Sequence, residues 1–378
     1  MITPLASILG LEWYQWIAII GLIALILAFP GLSESRNPNA RKLDLPGQFL
    51  VIIGLSCLVM ALIESSSQGW TSPLILGLFV GAIICLSAFV LVETRVSEPL
   101  IPLQLFGIRV FSAANLITLI LSFATLGPIF FLAQYFQQVQ GYTVLEAGLR
   151  TLPISIGAFL TAPLAGRIAG RIGSRLPTAL GGLLCGGALL LMMTLEPDSS
   201  YASFWWMLGA MGIGFGLMLS PLTSAIFSVT PPQRAGLGSS MFNTTRQVGA
   251  TLSVAVLGAI VLQQFANNIP SQLIQRGIPA SVSAAIANKV AADGAGASQS
   301  AGSGQLPISP AQLHLAINQA FVDALHGMFL ISGIALLVVA LLSLLLLQQA
   351  RTSTSKESVE APVVVGAPIA VAAITEEK

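Results

Sequence analysis

Gly166-Arg-Ile-Ala-Gly-Arg-Ile-Gly-Ser-Arg175 decides how this chain is read. The stretch holds three Gly, three Arg and no acidic residue. Its glycines let two helices approach and turn tightly between them. Arg167, Arg171 and Arg175 mark one face of a membrane. By charge alone the stretch is a basic loop that fixes topology. Apolar runs flank it on both sides, Thr151–Gly166 before and Leu176–Leu195 after. Further out the pattern repeats, with runs at Trp13–Leu32, Pro46–Ile63, Pro73–Val92, Val110–Phe136, Tyr201–Val229, Val248–Phe265 and Leu325–Leu347. A bilayer core needs about 20 mostly apolar residues per helix, so these nine runs are predicted membrane spans. The run Thr151–Gly166 is short and borrows from Glu146–Arg150. The runs are continuous, whereas a membrane β-barrel needs short alternating segments. Internal Gly127-Pro128 fits, because neighbouring helices satisfy the backbone groups that proline frees.

Composition gives the same answer. Of 378 residues, 55% are hydrophobic and 8% charged, and the mean hydropathy is +0.86. Soluble domains carry about 25% charged residues, which excludes an ordinary water-soluble globule. A net charge of +1 argues against a nucleic-acid partner, which needs a basic face. Two His and three Cys, without CxxC or HxxxH spacing, argue against a metal centre, a disulfide framework or a bound cofactor. Cys57, Cys85 and Cys185 lie inside apolar runs and read as small hydrophobes. The fold class is therefore an all-α polytopic membrane protein, with the lipid bilayer as its surroundings. Lys and Arg are absent from the first eleven residues, so the positive region of a signal peptide is not expected there.

Alternating loops divide the positive charges. One side collects Arg36, Arg41, Lys42, Arg95, Arg109, Arg167, Arg171, Arg175, Arg234, Arg246, Arg351, Lys356 and Lys378. The other holds only Arg150, Arg276 and Lys289. This asymmetry predicts a cytoplasmic C-terminus and an exterior N-terminus in a cell membrane. Residues 266–322 are predicted to be one long exterior loop, flexible over Ala292–Gly304, with an amphipathic helix at Ser309–Ala324. Residues 349–378 read as a disordered cytoplasmic tail.

The fourth span carries Asn115, Ser122, Thr125, Gln134 and Gln137 among Phe123, Phe130, Phe131, Tyr135 and Phe136. Polar side chains in a membrane helix usually glue helices together. The functional reading makes Asn115, Ser122, Phe123, Phe130, Gln134 and Gln137 the lining of a substrate pathway. Gly182-x-x-x-Gly186 and Gly212-x-x-x-Gly216 read as close helix contacts. Gly212-Ile-Gly-Phe-Gly216 lacks a βαβ setting and is not a nucleotide loop. Glu64, Glu146, Arg150, Asp323 and His326 fall at exterior ends of spans, and none of the nine spans has an acidic or basic residue at its centre.

The opening stretch resembles the signature loop of the major facilitator superfamily, G-x-x-x-D-R-x-G-x-R/K. Gly166, Arg171, Gly173 and Arg175 match, and Gly170 stands where the family has Asp. Gln137-Gln-Val-Gln-Gly-Tyr-Thr-Val-Leu-Glu-Ala-Gly-Leu-Arg-Thr-Leu-Pro153 is similar to the exterior turn of the 14-spanner drug/proton antiporter branch. Pro232-Gln-Arg-Ala-Gly-Leu-Gly-Ser-Ser-Met-Phe-Asn-Thr-Thr-Arg-Gln-Val-Gly249 is similar to the cytoplasmic approach to that branch's thirteenth helix, and carries Asn243, Arg246 and Gln247. Trp13-Tyr-Gln-Trp16 resembles the aromatic start of its sixth helix.

The resemblance implies a partial major facilitator fold of about nine transmembrane helices, equivalent to helices six to fourteen. Residues 1–32 would be a remnant of the N-terminal half, 33–109 the extra helix pair with its linkers, and 110–348 the complete C-terminal half. It implies a secondary transporter like the proton-coupled multidrug exporters, acting on amphipathic small molecules. It also implies that this chain, lacking the earlier helices, is not competent alone and needs a missing N-terminal half or a second subunit. A non-transporting binding or assembly subunit is the alternative. A membrane enzyme would need a nucleophile–base set, and His314 and His326, the only His, both lie towards the exterior.

Overall fold

The structure, a computed structural model, describes residues 21–22, 44–96, 103–231, 235–284 and 310–347. Eight helices among the described residues are long and apolar enough to cross a membrane. They carry eight of the nine predicted spans. The ninth, Trp13–Leu32, lies almost wholly outside the described residues, as do Ala292–Gly304 and 349–378.

Helix α1 spans Leu45–Gln68 and starts at Asp44, whose Oδ1 accepts a hydrogen bond from the Gly47 amide at 3.0 Å, with Pro46 in the first turn. Helix α2 spans Pro73–Glu93. Helix α3 spans Arg109–Gln134 and continues through a π turn, Tyr135–Val139. Helix α4 spans Val144–Ile172 and α5 spans Arg175–Leu191. Helix α6 spans Tyr201–Val229. Helix α7, Ala235–Leu252, passes through a π segment at Ser253–Leu257 into α8, Gly258–Gln275. Helix α9 spans Pro310–Leu346.

Three expectations are corrected. Gly166–Arg175 is not a loop: α4 runs to Ile172, and the turn is confined to Gly173, at φ 86°, and Ser174. Arg, Ile and Ala are adequate helix formers, and Gly166 sits where a Cβ would lie 2.7 Å from Ser220 Oγ, so close packing offsets its poor propensity. The same helix reaches back past Thr151–Gly166 to Thr143, where Thr143 and Glu146 form a reciprocal capping box.

The predicted loop 266–322 is also shorter, because α7 and α8 form one rod, Ala235–Gln275, far longer than the predicted Val248–Phe265. The first half of that rod is rich in Ser, Thr, Asn and Gln, so hydropathy does not report it. Finally, the predicted amphipathic segment, from Pro310 on, and the last span, up to Leu346, are one continuous helix, α9.

Helix α4 packs on α6, α6 on α5, α5 on α9, α9 on α3 and α8, and α3 on α7. These six rods bury Phe111, Tyr135, Phe136, Met192, Met211 and Phe329 completely or nearly so. Helices α1 and α2 pair with each other, and α1 rests against α8 and the π segment. Small-residue contacts draw the rods together, as the glycine spacings predict. A Cβ at Gly157 would lie 2.8 Å from the Gly209 carbonyl of α6. One at Gly186 would lie 3.0 Å from the Gly333 carbonyl of α9.

Candidate functional site

A cleft of about 340 Å³ lies between α1 and α7. Leu55 and Val59 of α1 form one wall, and Asn243, Thr244, Gln247, Val248, Thr251 and Leu252 of α7 the other. Residues 243, 247 and 251 recur every four positions, which stacks them on one face of the helix. The opposite face is buried through Gly238, Met241, Phe242 and Gly249. Asn243 donates its side-chain N–H to the Ser239 carbonyl at 3.1 Å, and Thr251 its hydroxyl to the Gln247 carbonyl at 2.9 Å. The Gln247 amide and the Asn243 side-chain oxygen make no hydrogen bond among the described residues. The cleft therefore joins a hydrocarbon wall to a wall with unspent donors and acceptors. That combination suits a molecule with both apolar and polar parts.

Sequence reasoning singled out Asn243, Arg246 and Gln247. The structure places two of them on the cleft wall and Arg246, half-buried, beside it. Thr244, Thr251, Leu55 and Val59 were missed. The signal for Thr251 lay in the four-residue recurrence from Asn243.

The six pathway candidates of α3 do not converge. Asn115 and Ser122 are buried. Asn115 donates to the Phe111 carbonyl at 2.9 Å and accepts from the Thr245 hydroxyl of α7 at 3.0 Å. Ser122 packs where Gly249 approaches. Phe130 points outward and is 46% exposed. Phe123, Gln134 and Gln137 are half-buried, and Gln137 returns its N–H to the Ala133 carbonyl at 3.2 Å. Along the signature stretch, Gly166 is tucked against α6, whereas Gly170 and Arg171 are exposed and Arg175 is half-buried. A Cβ at Gly170 would meet nothing within 4 Å, so the position has room for the acidic side chain that it lacks.

The opposite end holds two clusters that sequence reasoning did not assemble. Arg150 lays its guanidinium 3.4 Å over the Tyr142 ring and 5.8 Å from the Tyr201 ring, and Tyr201 donates its hydroxyl to the Arg150 carbonyl at 3.1 Å. Between α8 and α9, Asp323 accepts from Gln272 at 2.9 Å and Gln319 at 3.1 Å, while Arg276 donates to Gln272 Oε1 at 2.9 Å. His326 shares a hydrogen bond with the Leu195 carbonyl at 2.8 Å, level with the same end. Among the described residues, no group of three or more His, Cys, Asp or Glu is arranged to hold a metal ion.

Apolar helices joined by small-residue seams, with positive charge gathered at one end, define a multi-pass helical membrane protein. Residues 1–254 match the profile of the Major Facilitator Superfamily, and the chain belongs to that family. It is 34% identical over 261 residues to multidrug resistance protein Stp of Mycobacterium tuberculosis, covering 68% of this chain and 48% of that protein. It is 31% identical over 263 residues to the tetracenomycin C resistance and export protein of Streptomyces glaucescens, covering 69% and 48%. Against the multidrug transporter protein MdtP of Bacillus subtilis it is 29% identical over 268 residues, covering 70% and 50%. The chain spans about half the length of the curated relatives it matches.

Proposed function

We propose that this chain supplies the later half of a drug exporter of the 14-helix drug/proton antiporter branch, equivalent to helices six to fourteen. The observation that carries the reading is the α1–α7 cleft, with its leucine and valine wall facing an amide and hydroxyl wall, in a chain of this family. Relatives whose names record multidrug resistance and antibiotic export support the substrate class, amphipathic small molecules. The pathway runs along α7, with Gln247 and Asn243 as its polar contacts. Transport rests on two halves that move about a shared site, so the chain works together with helices beyond the eight described, in an N-terminal half or a second subunit. Asn115 and Ser122 hold α3 to α7 and position that wall.

Binding tests the site. Purified chain titrated with an amphipathic cationic dye should show saturable fluorescence change. Gln247→Leu, which keeps the volume and removes the amide, should weaken affinity about tenfold, the equivalent of one hydrogen bond at ~1.4 kcal/mol. Unchanged affinity would remove the cleft from the account.

Orientation follows from the charge asymmetry: the arginine-bearing end faces the cytoplasm and the Arg150 and Arg276 end the exterior. In intact cells expressing Arg175→Cys in a cysteine-free background, a membrane-impermeant thiol reagent should leave the residue unlabelled until the membrane is opened. Labelling from outside would invert the topology.

A further inference from the structure

Two irregularities meet at mid-length in the bundle. Pro128 interrupts α3, where its missing N–H leaves the Ala124 carbonyl without its helical donor. Opposite it, the α7–α8 rod carries its π segment, Ser253–Leu257. Such bulges are rare and gather at functional positions. Ser253 is buried and ties the two irregularities together. Its hydroxyl accepts the Gly127 amide proton at 2.8 Å and donates its own proton to the Phe123 carbonyl. Phe123 lies four residues before Gly127, so this carbonyl and this amide are the partners that a regular helix joins directly. The hydroxyl bridges these two groups from a neighbouring helix, and a side chain inserted into a helix ladder is a recognised cause of kinks.

The wedge has somewhere else to go. Thr118, Thr125, Thr178, Thr223 and Ser343 of this chain each donate to the carbonyl four residues earlier in their own helices, at 2.7–2.9 Å. Ser253 has the same option at the Gly249 carbonyl. Withdrawn to that position, it frees the Gly127 amide to close on the Phe123 carbonyl. The Gly127 amide and the Phe123 carbonyl are paired in both arrangements, so neither carries the cost of leaving these two groups unsatisfied in an apolar interior. Exchange between them changes the bend of α3 without breaking the bundle.

The surroundings set which part moves. On the arginine side of the wedge, α3 and α7 are clamped by the Asn115–Thr245 hydrogen bond and by Gly249, where a Cβ would lie 2.5 Å from the Leu119 carbonyl. On the other side both rods touch α9, where Asn318 donates to the Val139 carbonyl of the arm at 3.4 Å, but each also has a hold of its own. The end of α3 is held by the α5–α6 connection through the Tyr135 hydroxyl and the Glu196 carbonyl, at 2.7 Å. The end of α8 is held by α9 through Gln272 and Asp323. We propose that Ser253 is the wedge of a two-state hinge, which swings the 128–139 arm of α3 relative to α8 while the arginine-side halves stay fixed.

The test uses the full chain in lipid nanodiscs, cysteine-free, with spin labels at Gln138→Cys and Ile274→Cys, both exposed. Pulsed electron resonance reads the distance between them. An arm of about 16 Å bending by roughly 20° moves its tip on the order of 5 Å. Ser253→Ala removes the wedge, and Gly127→Ala expels it, because the added Cβ would lie 2.5 Å from the Ser253 oxygen. Both single variants should shift the main distance by that amount, and the double variant should shift it no further. Ser253→Thr keeps the hydroxyl and should leave the wild-type distance dominant. An unchanged distance in Ser253→Ala, or shifts that add in the double variant, would overturn the hinge. Size-exclusion profiles identical to wild type establish that each variant is folded when measured.

Discussion

Gly212→Ala is expected to break the packing of α4 on α6, the broadest helix contact of the bundle. The glycine faces the backbone of α4 at Ile154, and a methyl group there would overlap the Ile154 carbonyl. The neighbouring contacts are equally close. A Cβ at Gly216 would lie 2.7 Å from the Ala158 carbonyl, and one at Gly157 would lie 2.9 Å from the Ile213 amide nitrogen. Backbone atoms on both sides cannot rotate away, so the helices must separate along their length. In a bilayer no hydrophobic force holds helices together, and close van der Waals contact is the main term. We expect a loss of about 3 kcal/mol, at the upper end for overpacking. In a thermal-shift measurement on the detergent-purified chain this lowers the midpoint by about 4 °C. Gly209→Ala on the same helix is the matched control, since a Cβ there meets nothing within 4 Å. It should stay within about 1 °C of wild type, because surface changes away from contacts are nearly neutral. Equal losses in the two variants would show that helix propensity, not the seam, sets stability.

How far the sequence reaches can be judged from particular residues. The spans at Pro46–Ile63, Pro73–Val92, Val110–Phe136 and Tyr201–Val229 coincide with helices, because a run of about 20 apolar residues has few other fates. The glycine spacings at 182 and 186 and at 212 and 216 were legible too, because small residues four apart lie on one face.

Hydropathy failed where a membrane helix is polar. Asn243, Thr244, Gln247 and Thr251 lower the score of α7 and hide its first half, although those residues form the cleft wall. Gly and Arg made residues 166–172 look like a loop, when packing against Ser220 keeps them helical. Asn115 was legible as a polar residue in a span, but its partner Thr245 lies 130 positions away. No local pattern links the two. Ser253 was hidden more thoroughly: a single serine in an apolar run gives no sign that it occupies the ladder of another helix.

The most direct test of the whole account is gradient-driven transport by this chain alone. Ionisable side chains of the described spans gather at the two ends of the bundle. Arg109, Arg175 and Arg246 lie at one end, and Glu146, Arg150 and Asp323, beside Arg276, at the other. The level of Gly127 and Ser253 is held by a hydroxyl and backbone groups. Carrying protons across about 30 Å of hydrocarbon needs a titratable relay or a water path. Alternating access also needs a second half to rock against. The purified chain should be reconstituted in liposomes, a pH gradient imposed, and an amphipathic cationic dye followed by fluorescence. Dye should bind to the protein, with no gradient-driven movement beyond that of empty vesicles. Movement should appear only when the helices of an N-terminal half are co-reconstituted. Dye movement by the chain alone, driven by the gradient, abolished by a protonophore and absent from empty vesicles, would contradict the account.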